Sequence, residues 1–463
     1  MKTKYINLID QTFDFPQEEF TLKNGTLHYY DVDLQELINT YGTPLKFTYL
    51  PAVSNQVKLA VDLFGNAMKK VNYPGKYHFC YVAKSSHFKP VIETTLRNGA
   101  HMETSGASDI EIAMRLAAED KLTSEKFVIC NGYKPDRYLD NIIDFIKGGH
   151  TNTIPVLDNV DEFYRLKEKT DLPLNLGIRI ASEEEPKFEF YTSRLGIGYK
   201  EILPFYKEVI KPDSRFSLKM LHFFINTGIR DNAYYWNELR KCLNVYVALR
   251  KVCPQLDSLN IGGGFPVKNS LNFDYDYAYM ADTIIEQVKE VCEENNVPCP
   301  DIFTEFGSFT VSAAGGVIFK VLNQKKQNDK ERWNMIDSSF MTTLPDSWAI
   351  SKRFILLPVN RWNEDYERVF LGGITCDSDD YYNSEQHVNA IYLPKYNKDK
   401  PLYIGFFGTG AYQESLGGYG GIQHCLTPAP KMILIDKDGN GVQTHREFAP
   451  EQSANEMLKI LGY

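Results

Sequence analysis

The sequence lacks the patterns that mark several large classes of protein. Basic residues are in deficit, with 51 Lys and Arg against 60 Asp and Glu and a formal net charge of -9 over 463 residues. Nucleic-acid binding requires clustered basic residues that neutralise phosphates, so we expect no nucleic-acid partner. No apolar stretch reaches the roughly 18 residues of a membrane span, so no membrane association is expected. Residues 1–10 also show no basic segment followed by an apolar run, which argues against a signal peptide.

The cysteines form no Cys-x-x-Cys pair. This spacing is typical of zinc ribbons and thioredoxin-like sites, so neither is expected and no metal is predicted. Scattered thiols in a long chain indicate a reducing compartment and predict a cytoplasmic protein. The eight positions are Cys80, Cys130, Cys242, Cys253, Cys292, Cys299, Cys376 and Cys425.

The chain is too long for one ordinary hydrophobic core, and its composition is that of a globular protein. Hydrophobic residues make up 43% and charged residues 24% of the 463 positions. Such a chain is expected to form two domains, or one large barrel with a second domain.

Residues 77 to 307 repeat one unit, a short β-rich run followed by a helical pattern. Alternating strands and helices predict a parallel sheet, and eight repeats predict a closed (β/α)8 barrel of the TIM type. The predicted strands are residues 77–84, 100–105, 126–132, 153–159, 175–180, 218–225, 258–264 and 301–307. Helical patterns between them include residues 108–118, 161–169, 236–252 and 277–294.

After residue 312 the pattern changes to strands with few helices between them, which predicts an antiparallel β domain. A turn at 436–440, a further strand at 45–50 and a terminal helix at 450–461 complete it. The predicted strands are residues 316–323, 332–337, 369–376, 389–392, 402–408 and 431–436. The fold class is therefore α/β, with a barrel at residues 51–311 and a mostly β domain made from residues 1–50 and 312–463.

Chemically capable side chains follow the predicted barrel strands. Barrel enzymes place active sites at the carboxyl ends of their strands, although strand ends are loops and loops are polar in any case. The residues are Lys84, Glu103, Asn131, Asp158, Arg179, Phe224, Gly262, Gly263, Gly264 and Glu305.

Three of these positions suggest a cofactor. Lys84 ends an apolar run, where burial would free its amine for a Schiff base, although the side chain could also reach solvent. The triplet Gly262–Gly264 could present backbone N–H groups to a phosphate, or simply form a tight turn. Glu305 could hold a pyridine nitrogen in its protonated form or make a structural ion pair.

Cys376 lies next to Asp377 in an acidic segment. Neighbouring carboxylates disfavour a thiolate, so this thiol is better suited to donate a proton than to attack. Asp377 could contact a cationic group of a substrate.

Three motifs resemble the fold-type III, alanine-racemase-like decarboxylases that use pyridoxal phosphate. They are LPDSWAI at 344–350, ITCDSD at 374–379 and GAYQE at 410–414. The first is the most similar to biosynthetic arginine decarboxylases, and the likeness extends from about residue 41 to residue 430.

The resemblance implies a role for each position. Lys84 would hold pyridoxal phosphate covalently, with Glu103 as the acid beside it, Asp109 in support and Arg179 orienting the group. Glu305 would pair with the pyridine nitrogen. The remaining cofactor-binding residues would be Phe224, Thr227, Gly262, Gly263, Gly264, Ser308 and Tyr412.

The resemblance also implies a homodimer in which each active site takes residues from both subunits. Cys376 would reach the partner's site and protonate the α-carbon of the product. Asp377 and Asp346 would contact the cationic end of a small amino-acid substrate.

The chain departs from the family pattern in the cofactor pocket. Phe224 stands where the family has a ring-stacking His, and Ser308 replaces an Arg that contacts phosphate. Residues 417–424 differ from the usual arginine-decarboxylase sequence, and the chain is shorter.

The predicted activity is α-decarboxylation of a basic L-amino acid, first of all arginine to agmatine in polyamine biosynthesis. Diaminopimelate, ornithine, lysine, carboxynorspermidine and citrulline are alternative substrates. A non-catalytic regulator and a racemase are alternatives of other kinds, and the retained Lys84, Glu305 and Cys376 argue against the first.

Overall fold

The computed structural model describes residues 17, 19–183, 193–382 and 391–463. No helix in those ranges is both long enough and apolar enough to span a membrane. The strands are β1 (Phe20–Lys23), β2 (Thr26–Tyr29), β3 (Val32–Asp33), β4 (Leu45–Tyr49), β5 (Tyr77–Val82), β6 (His101–Thr104), β7 (Val128–Cys130), β8 (Thr153–Leu157), β9 (Leu174–Arg179), β10 (Phe216–His222), β11 (Ser258–Asn260), β12 (Asp301–Glu305), β13 (Gly315–Lys326), β14 (Arg332–Ile336), β15 (Ile355–Pro358), β16 (Tyr366–Gly372), β17 (Ile391–Pro394), β18 (Leu402–Phe407), β19 (Lys431–Lys437) and β20 (Gln443–Ala449). The α-helices are α1 (Leu34–Tyr41), α2 (Leu50–Lys70), α3 (Lys89–Arg97), α4 (Ala107–Ala118), α5 (Asp136–Lys147), α6 (Val160–Lys169), α7 (Tyr199–Phe205), α8 (Ala233–Arg250), α9 (Tyr277–Glu294), α10 (Ser308–Val311), α11 (Phe340–Thr343), α12 (Pro345–Ala349), α13 (Gln413–Gly417) and α14 (Ala454–Leu461).

The chain divides into two compact units. We call Val53–Pro266 with Tyr275–Thr310 the barrel unit, and Met1–Ala52, Val267–Asp274 and Val311–Tyr463 the β unit. Val267–Asp274 groups with the β unit, whereas the sequence pattern assigned it to the barrel. The boundaries at residues 50/51 and 311/312 stay a prediction about independently folding domains.

The barrel unit is the predicted closed parallel barrel. Its strands run in the order β5 to β12, and β12 pairs in parallel with β5 to close the ring. All eight predicted strands are present. Their interior is apolar because helices cover the outside of a parallel barrel and side chains fill the inside. The core cluster consists of Cys80, Ile129, Ile154, Val156, Met220 and Phe303.

The two 18-residue helices of the barrel unit, α8 and α9, begin at side chains that cap them. Asp276 accepts a hydrogen bond from the Tyr279 N–H at the start of α9, and Asn232 accepts one from Tyr235 at the start of α8. Such caps satisfy N–H groups that have no partner within the helix. The predicted helix at 277–294 is confirmed, whereas the 21-residue α2 was missed.

The β unit contains a nine-stranded sheet that is not purely antiparallel, which corrects the prediction. β14 pairs in parallel with β16, and β4 pairs in parallel with β19. Neither pair is joined by a hairpin, so no tight turn sets the strand direction. The other pairs of the sheet are antiparallel.

Two local features of the β unit follow from its sequence as predicted. Asp438 makes the turn between β19 and β20, since its carboxylate accepts hydrogen bonds from the N–H groups of Asn440 and Val442. The terminal helix α14 begins with a capping box between Ser453 and Glu456. The predicted strand at 389–392 lies partly outside the described residues, and β17 begins at Ile391.

Candidate active site

Glu305, the last residue of β12, is held by three other strands of the barrel. Asn131 after β7 and Asn260 at the end of β11 both donate to its Oε1, at 2.8 and 2.6 Å. His222 at the end of β10 places Nε2 3.2 Å from its Oε2. Burial alone would raise the pKa of Glu305, but His222 and these hydrogen bonds outweigh it and lower the pKa to about 2. Glu305 is therefore an anion at neutral pH.

Glu103, at the carboxyl end of β6, has a raised pKa, in contrast to Glu305. Its Oε1 accepts hydrogen bonds from Ser105 Oγ at 2.7 Å and Asn131 Nδ2 at 3.1 Å. Its Oε2 is buried without a hydrogen-bond partner. Burial raises the pKa of Glu103 to about 7, with the Glu305 charge raising it further and Lys84 lowering it. A proton is therefore available at this carboxyl near neutrality.

Lys84 lies in a 3₁₀ turn, Ala83–Ser85, that directly follows β5. Its side chain is exposed, which corrects the expectation of a lysine at the buried end of a strand. Its ammonium acts on Glu103, since it lowers that pKa. Gly307 allows the end of β12 to pack closely here, because a Cβ at this position would lie 3.0 Å from Ser85 Cβ.

Arg179 and Phe224 lie beside each other at the ends of β9 and β10. The Arg179 guanidinium carbon is 5.5 Å from the centre of the Phe224 ring, a cation–π distance. Arg179 Nε is buried without a hydrogen-bond partner. Burial lowers the pKa of Arg179, with Asp158, Glu305 and Glu103 opposing the shift. The roles of both residues as cofactor contacts stay a prediction.

At the glycine triplet the backbone passes very close to the backbone of neighbouring segments, so it is more than an ordinary turn. Gly262 and Gly264 have φ of +67° and +115°, where L side chains are strained. A Cβ on Gly263 would lie 2.2 Å from Glu305 O, and one on Gly228 would lie 2.6 Å from Gly264 O. Asn260 Oδ1 accepts the Gly262 N–H at 2.9 Å. The end of β12 therefore packs against the segments after β10 and β11, backbone against backbone. We call Gly228 and Gly262–Gly264, together with the backbone of Glu305, the glycine cradle.

Polar groups that could bind an anion lie in the segments that form or follow this cradle. Thr227 Oγ1, in the segment after β10, is buried without a hydrogen-bond partner. Ser308 is half-buried and begins the short helix α10.

Asp109, the predicted supporting acid, lies in helix α4 after β6. Its carboxylate accepts the Ser105 N–H at 2.8 Å and lies 3.0 Å from His87 Nε2.

In the β unit, Cys376 and Asp377 lie in a loop that a buried carboxylate tethers. Asp380 accepts hydrogen bonds from the Thr375 N–H at 3.1 Å and Thr375 Oγ1 at 2.7 Å. It also accepts the Phe340 N–H at 2.8 Å. Cys376 is exposed and Asp377 is half-exposed. The loop is thus fixed at its base and presents both predicted side chains to solvent within this unit.

The two other predicted residues of the β unit are built into its structure. Asp346 is buried, and its Oδ2 accepts from Gln413 Nε2 at 2.8 Å and Lys352 Nζ at 3.2 Å. Its substrate role stays a prediction. Tyr412 precedes helix α13 in the left-handed conformation with φ of 70°. A strained non-glycine residue of this kind often marks a functional site.

The sequence analysis missed His222 and Asn260 as partners of Glu305. Both end barrel strands, and Asn260 directly precedes the glycine triplet. An amide within an apolar strand must find a hydrogen-bond partner, so the position of Asn260 predicts a polar partner nearby.

Comparison with known proteins identifies the family. Residues 60–312 match the family described as pyridoxal-dependent decarboxylase, pyridoxal binding domain. A protein of Geobacter sp. (strain M21), named biosynthetic arginine decarboxylase, is 23% identical over 84% of this chain and 80% of its own length.

Two solved structures share the fold. The biosynthetic arginine decarboxylase of Campylobacter jejuni has a TM-score of 0.82 at 19% identity, covering 96% of this chain and 89% of its own. The diaminopimelate decarboxylase of M. jannaschii has a TM-score of 0.78 at 18% identity, covering 96% and 97%.

The residues of the barrel unit fit pyridoxal phosphate. The glycine cradle presents backbone without side chains, and Thr227 Oγ1 and Arg179 Nε are buried polar atoms that lack hydrogen-bond partners. Glu305 is an anion suited to a pyridinium nitrogen, and Lys84 supplies an accessible amine. The chain belongs to the pyridoxal-dependent decarboxylase family and is a carboxy-lyase that uses pyridoxal phosphate.

Proposed function

We propose that this enzyme removes the α-carboxylate of a basic L-amino acid, with arginine, which gives agmatine and CO2, as the preferred substrate. The observation that supports a cationic substrate is the pairing of Cys376 with Asp377 in one tethered loop. A proton donor and a carboxylate that binds a distal cation are adjacent there. The relatives named biosynthetic arginine decarboxylase support arginine among the basic amino acids.

Pyridoxal phosphate, when bound, supplies a ring that accepts the electron pair released as CO2 departs. Glu305 serves this chemistry because its low pKa keeps it ionised, so a proton on the ring nitrogen is stabilised. Asn131, Asn260 and His222 prevent the carboxylate from rotating away. Oε1 already accepts two hydrogen bonds, whereas Oε2, which faces His222, has capacity for a further one.

Glu103 and Lys84 are the proton-exchanging residues of the same site. The pKa of Glu103 near 7 lets it hold a proton on Oε2 or release it within the working pH range. The Lys84 amine, whose charge acts on Glu103, is the nucleophile that the cofactor aldehyde requires. We propose that Glu103 exchanges a proton at this amine when substrate replaces it.

We further propose that two copies form a dimer with shared active sites. The exposed Cys376 thiol of one copy would protonate the product carbon in the other copy, and Asp377 would bind the distal cation. Asp346 would add a second carboxylate once Lys352 is displaced from it.

The test is CO2 release with added pyridoxal phosphate from arginine, ornithine, lysine, diaminopimelate, citrulline and carboxynorspermidine. Arginine should give the highest kcat/KM. The Lys84→Ala variant should be inactive, whereas Lys89→Ala, an exposed lysine paired with Glu119, should retain activity. Preference for another substrate would refute arginine specificity alone, and no turnover of any of them would refute the proposed activity.

A matched variant tests the distal contact. Asp377→Asn should raise KM for arginine by about tenfold or more, because it removes a charge from a charge-assisted hydrogen bond. Citrulline has no distal charge, so its turnover should change little. An equal effect on both amino acids would contradict the assignment of Asp377.

A further inference from the structure

The two exposed cysteines of the chain lie next to each other. All eight cysteines fall within the described residues, and five are buried, one is half-buried and two, Cys376 and Cys425, are exposed. The Sγ atoms of this pair are 3.9 Å apart, although 49 residues separate them in sequence. A disulfide needs about 2.05 Å, so a shift of about 2 Å would join them.

The loop that carries Cys425 is anchored as firmly as the loop of Cys376. Gln423 Nε2 donates to Gly417 O at 2.8 Å, and Thr427 Oγ1 donates to His424 O at 2.8 Å. Cys425 itself has a left-handed backbone with φ of 53°. A non-glycine residue is strained there, so the position of this thiol is imposed by its surroundings.

Groups that handle protons surround the pair. His424 Nε2 lies 3.3 Å from Cys425 Sγ and 3.4 Å from Asp377 Oδ2. A hydrogen bond from the Cys376 N–H lowers the pKa of Cys425, but partial burial, the Cys376 thiol and Asp377 outweigh it and raise the pKa. His424 therefore lies where it can accept a proton from the Cys425 thiol.

We propose that Cys376 and Cys425 form a redox modification site, in which a peroxide converts the two thiols to a disulfide. One of the two sulfurs attacks a peroxide oxygen, the O–O bond breaks and one water leaves, which gives a sulfenic acid. The other sulfur then attacks the oxidised sulfur, the S–O bond breaks and a second water leaves. The sulfurs lose two electrons in total, and hydrogen peroxide accepts them.

The consequence for activity rests on the proposed function. If Cys376 is the proton donor to the product carbon, the disulfide removes that proton and stops turnover. Cys425 has no part in the proposed chemistry, so its role would be to convert oxidised Cys376 into a form that a thiol can reduce. Without Cys425, the sulfenic acid would proceed to irreversible higher oxides.

The test treats the cofactor-loaded enzyme with stoichiometric hydrogen peroxide and follows mass, thiols and activity. The intact mass should fall by about 2 Da, two reactive thiols should disappear, and digestion should give a peptide that links residues 376 and 425. Dithiothreitol should restore both thiols. A linked Cys292–Cys299 peptide alone, a disulfide between two chains, or no loss of mass would overturn the proposal.

Two variants separate this site from general oxidation. Cys425→Ser should keep its activity before treatment and form no internal disulfide, and with excess peroxide it should lose activity that dithiothreitol does not restore, because a second equivalent takes the sulfenic acid to the sulfinic acid. Cys299→Ser, the half-buried control, should behave like the wild type. The mass and peptide measurements do not depend on decarboxylation, so a failure of the proposed function leaves them interpretable.

Discussion

Two neighbouring carboxylates of the barrel share one amide and yet differ in protonation. Asn131 Nδ2 donates to both Glu103 and Glu305, but only Glu305 also faces His222 and Asn260. The result is a pKa of about 7 for one and about 2 for the other. Two neighbouring carboxyl groups whose pKa values differ this strongly are typical of sites that need one permanent anion and one proton carrier.

The charge of Lys84 should control the proton on Glu103. In the cofactor-free protein, Lys84→Ala removes the charge that lowers this pKa, so the pKa of Glu103 should rise above its present value near 7. Infrared titration of the protonated carboxyl band measures it, and Glu103→Gln identifies the band. An unchanged or lower pKa would show that Lys84 does not act on this carboxyl.

Ser308 offers a test of the altered cofactor pocket. Its replacement Ser308→Arg would add a charged donor at the start of α10, next to the glycine cradle. Charge-assisted contacts to phosphate are strong, so the Kd for pyridoxal phosphate should fall by about tenfold. Equilibrium dialysis measures this, with Ser308→Gln as the uncharged control of similar length. A Kd that falls equally in both variants would exclude a charge effect.

At the scale of elements, the opposite ends of the barrel strands carry a histidine pair. His78 Nδ1 at the start of β5 lies 3.1 Å from His101 Nε2 at the start of β6, and His101 Nδ1 accepts the Phe127 N–H. Burial lowers the pKa of His101 to about 3, with the charges of His78 and Lys126 contributing. Barrel enzymes use this end for stability rather than chemistry.

This pair should make stability depend on pH. The unfolded histidine binds a proton near pH 6.5 and the folded one only near 3, so stability is lost as pH falls through this window. Between pH 7 and 5 the loss should be about 2 kcal/mol.

Urea unfolding of the wild type and of His101→Gln at both pH values measures this difference, and the comparison cancels contributions from the carboxylates. The variant should keep its kcat at pH 8. An identical pH dependence in the two proteins would refute the assignment to His101.

The barrel could be predicted from the sequence because each strand combines a short apolar run with a following helical period. The β unit could be predicted only in part. β1 to β3, β15 and β20 are short or polar on one face, and the parallel pairing of β4 with β19 depends on residues from opposite ends of the chain. Periodicity within a window does not record which distant strand is the partner.

The same distinction holds at the site. Glu103 and Glu305 lie at the ends of strands, and Lys84 and the glycine triplet follow closely after strands, so position in the pattern was enough to select them. The network that sets their protonation was missed because its hydrogen bonds join strands far apart in sequence, such as Asn131 with Glu305. The exposure of Lys84 likewise depends on how the turn after β5 packs.

At the scale of the whole molecule, the proposed dimer with shared active sites predicts complementation between two inactive variants. Lys84→Ala removes a residue of the barrel unit and Cys376→Ala removes one of the β unit. Random exchange of subunits should make half of the dimers mixed, each with one intact site, and so restore about 25% of the wild-type activity.

Each variant alone is the control, and sedimentation before and after mixing establishes the assembly state. Recovery of no activity from a confirmed mixture of dimers would mean that each site is formed within one copy.

The placement of β4 has a consequence for how the protein is made. All five residues of this strand, Leu45–Tyr49, are buried between β13 and β19. β19 leaves the ribosome last among them, on the order of half a minute after β4 at about 5–20 residues per second. During that time the barrel strands can already pair, while the side chains of β4 stay exposed until β19 has been made. Chaperone demand should therefore fall on the segment that forms β4, and the yield of soluble protein should respond to translation speed downstream of the barrel.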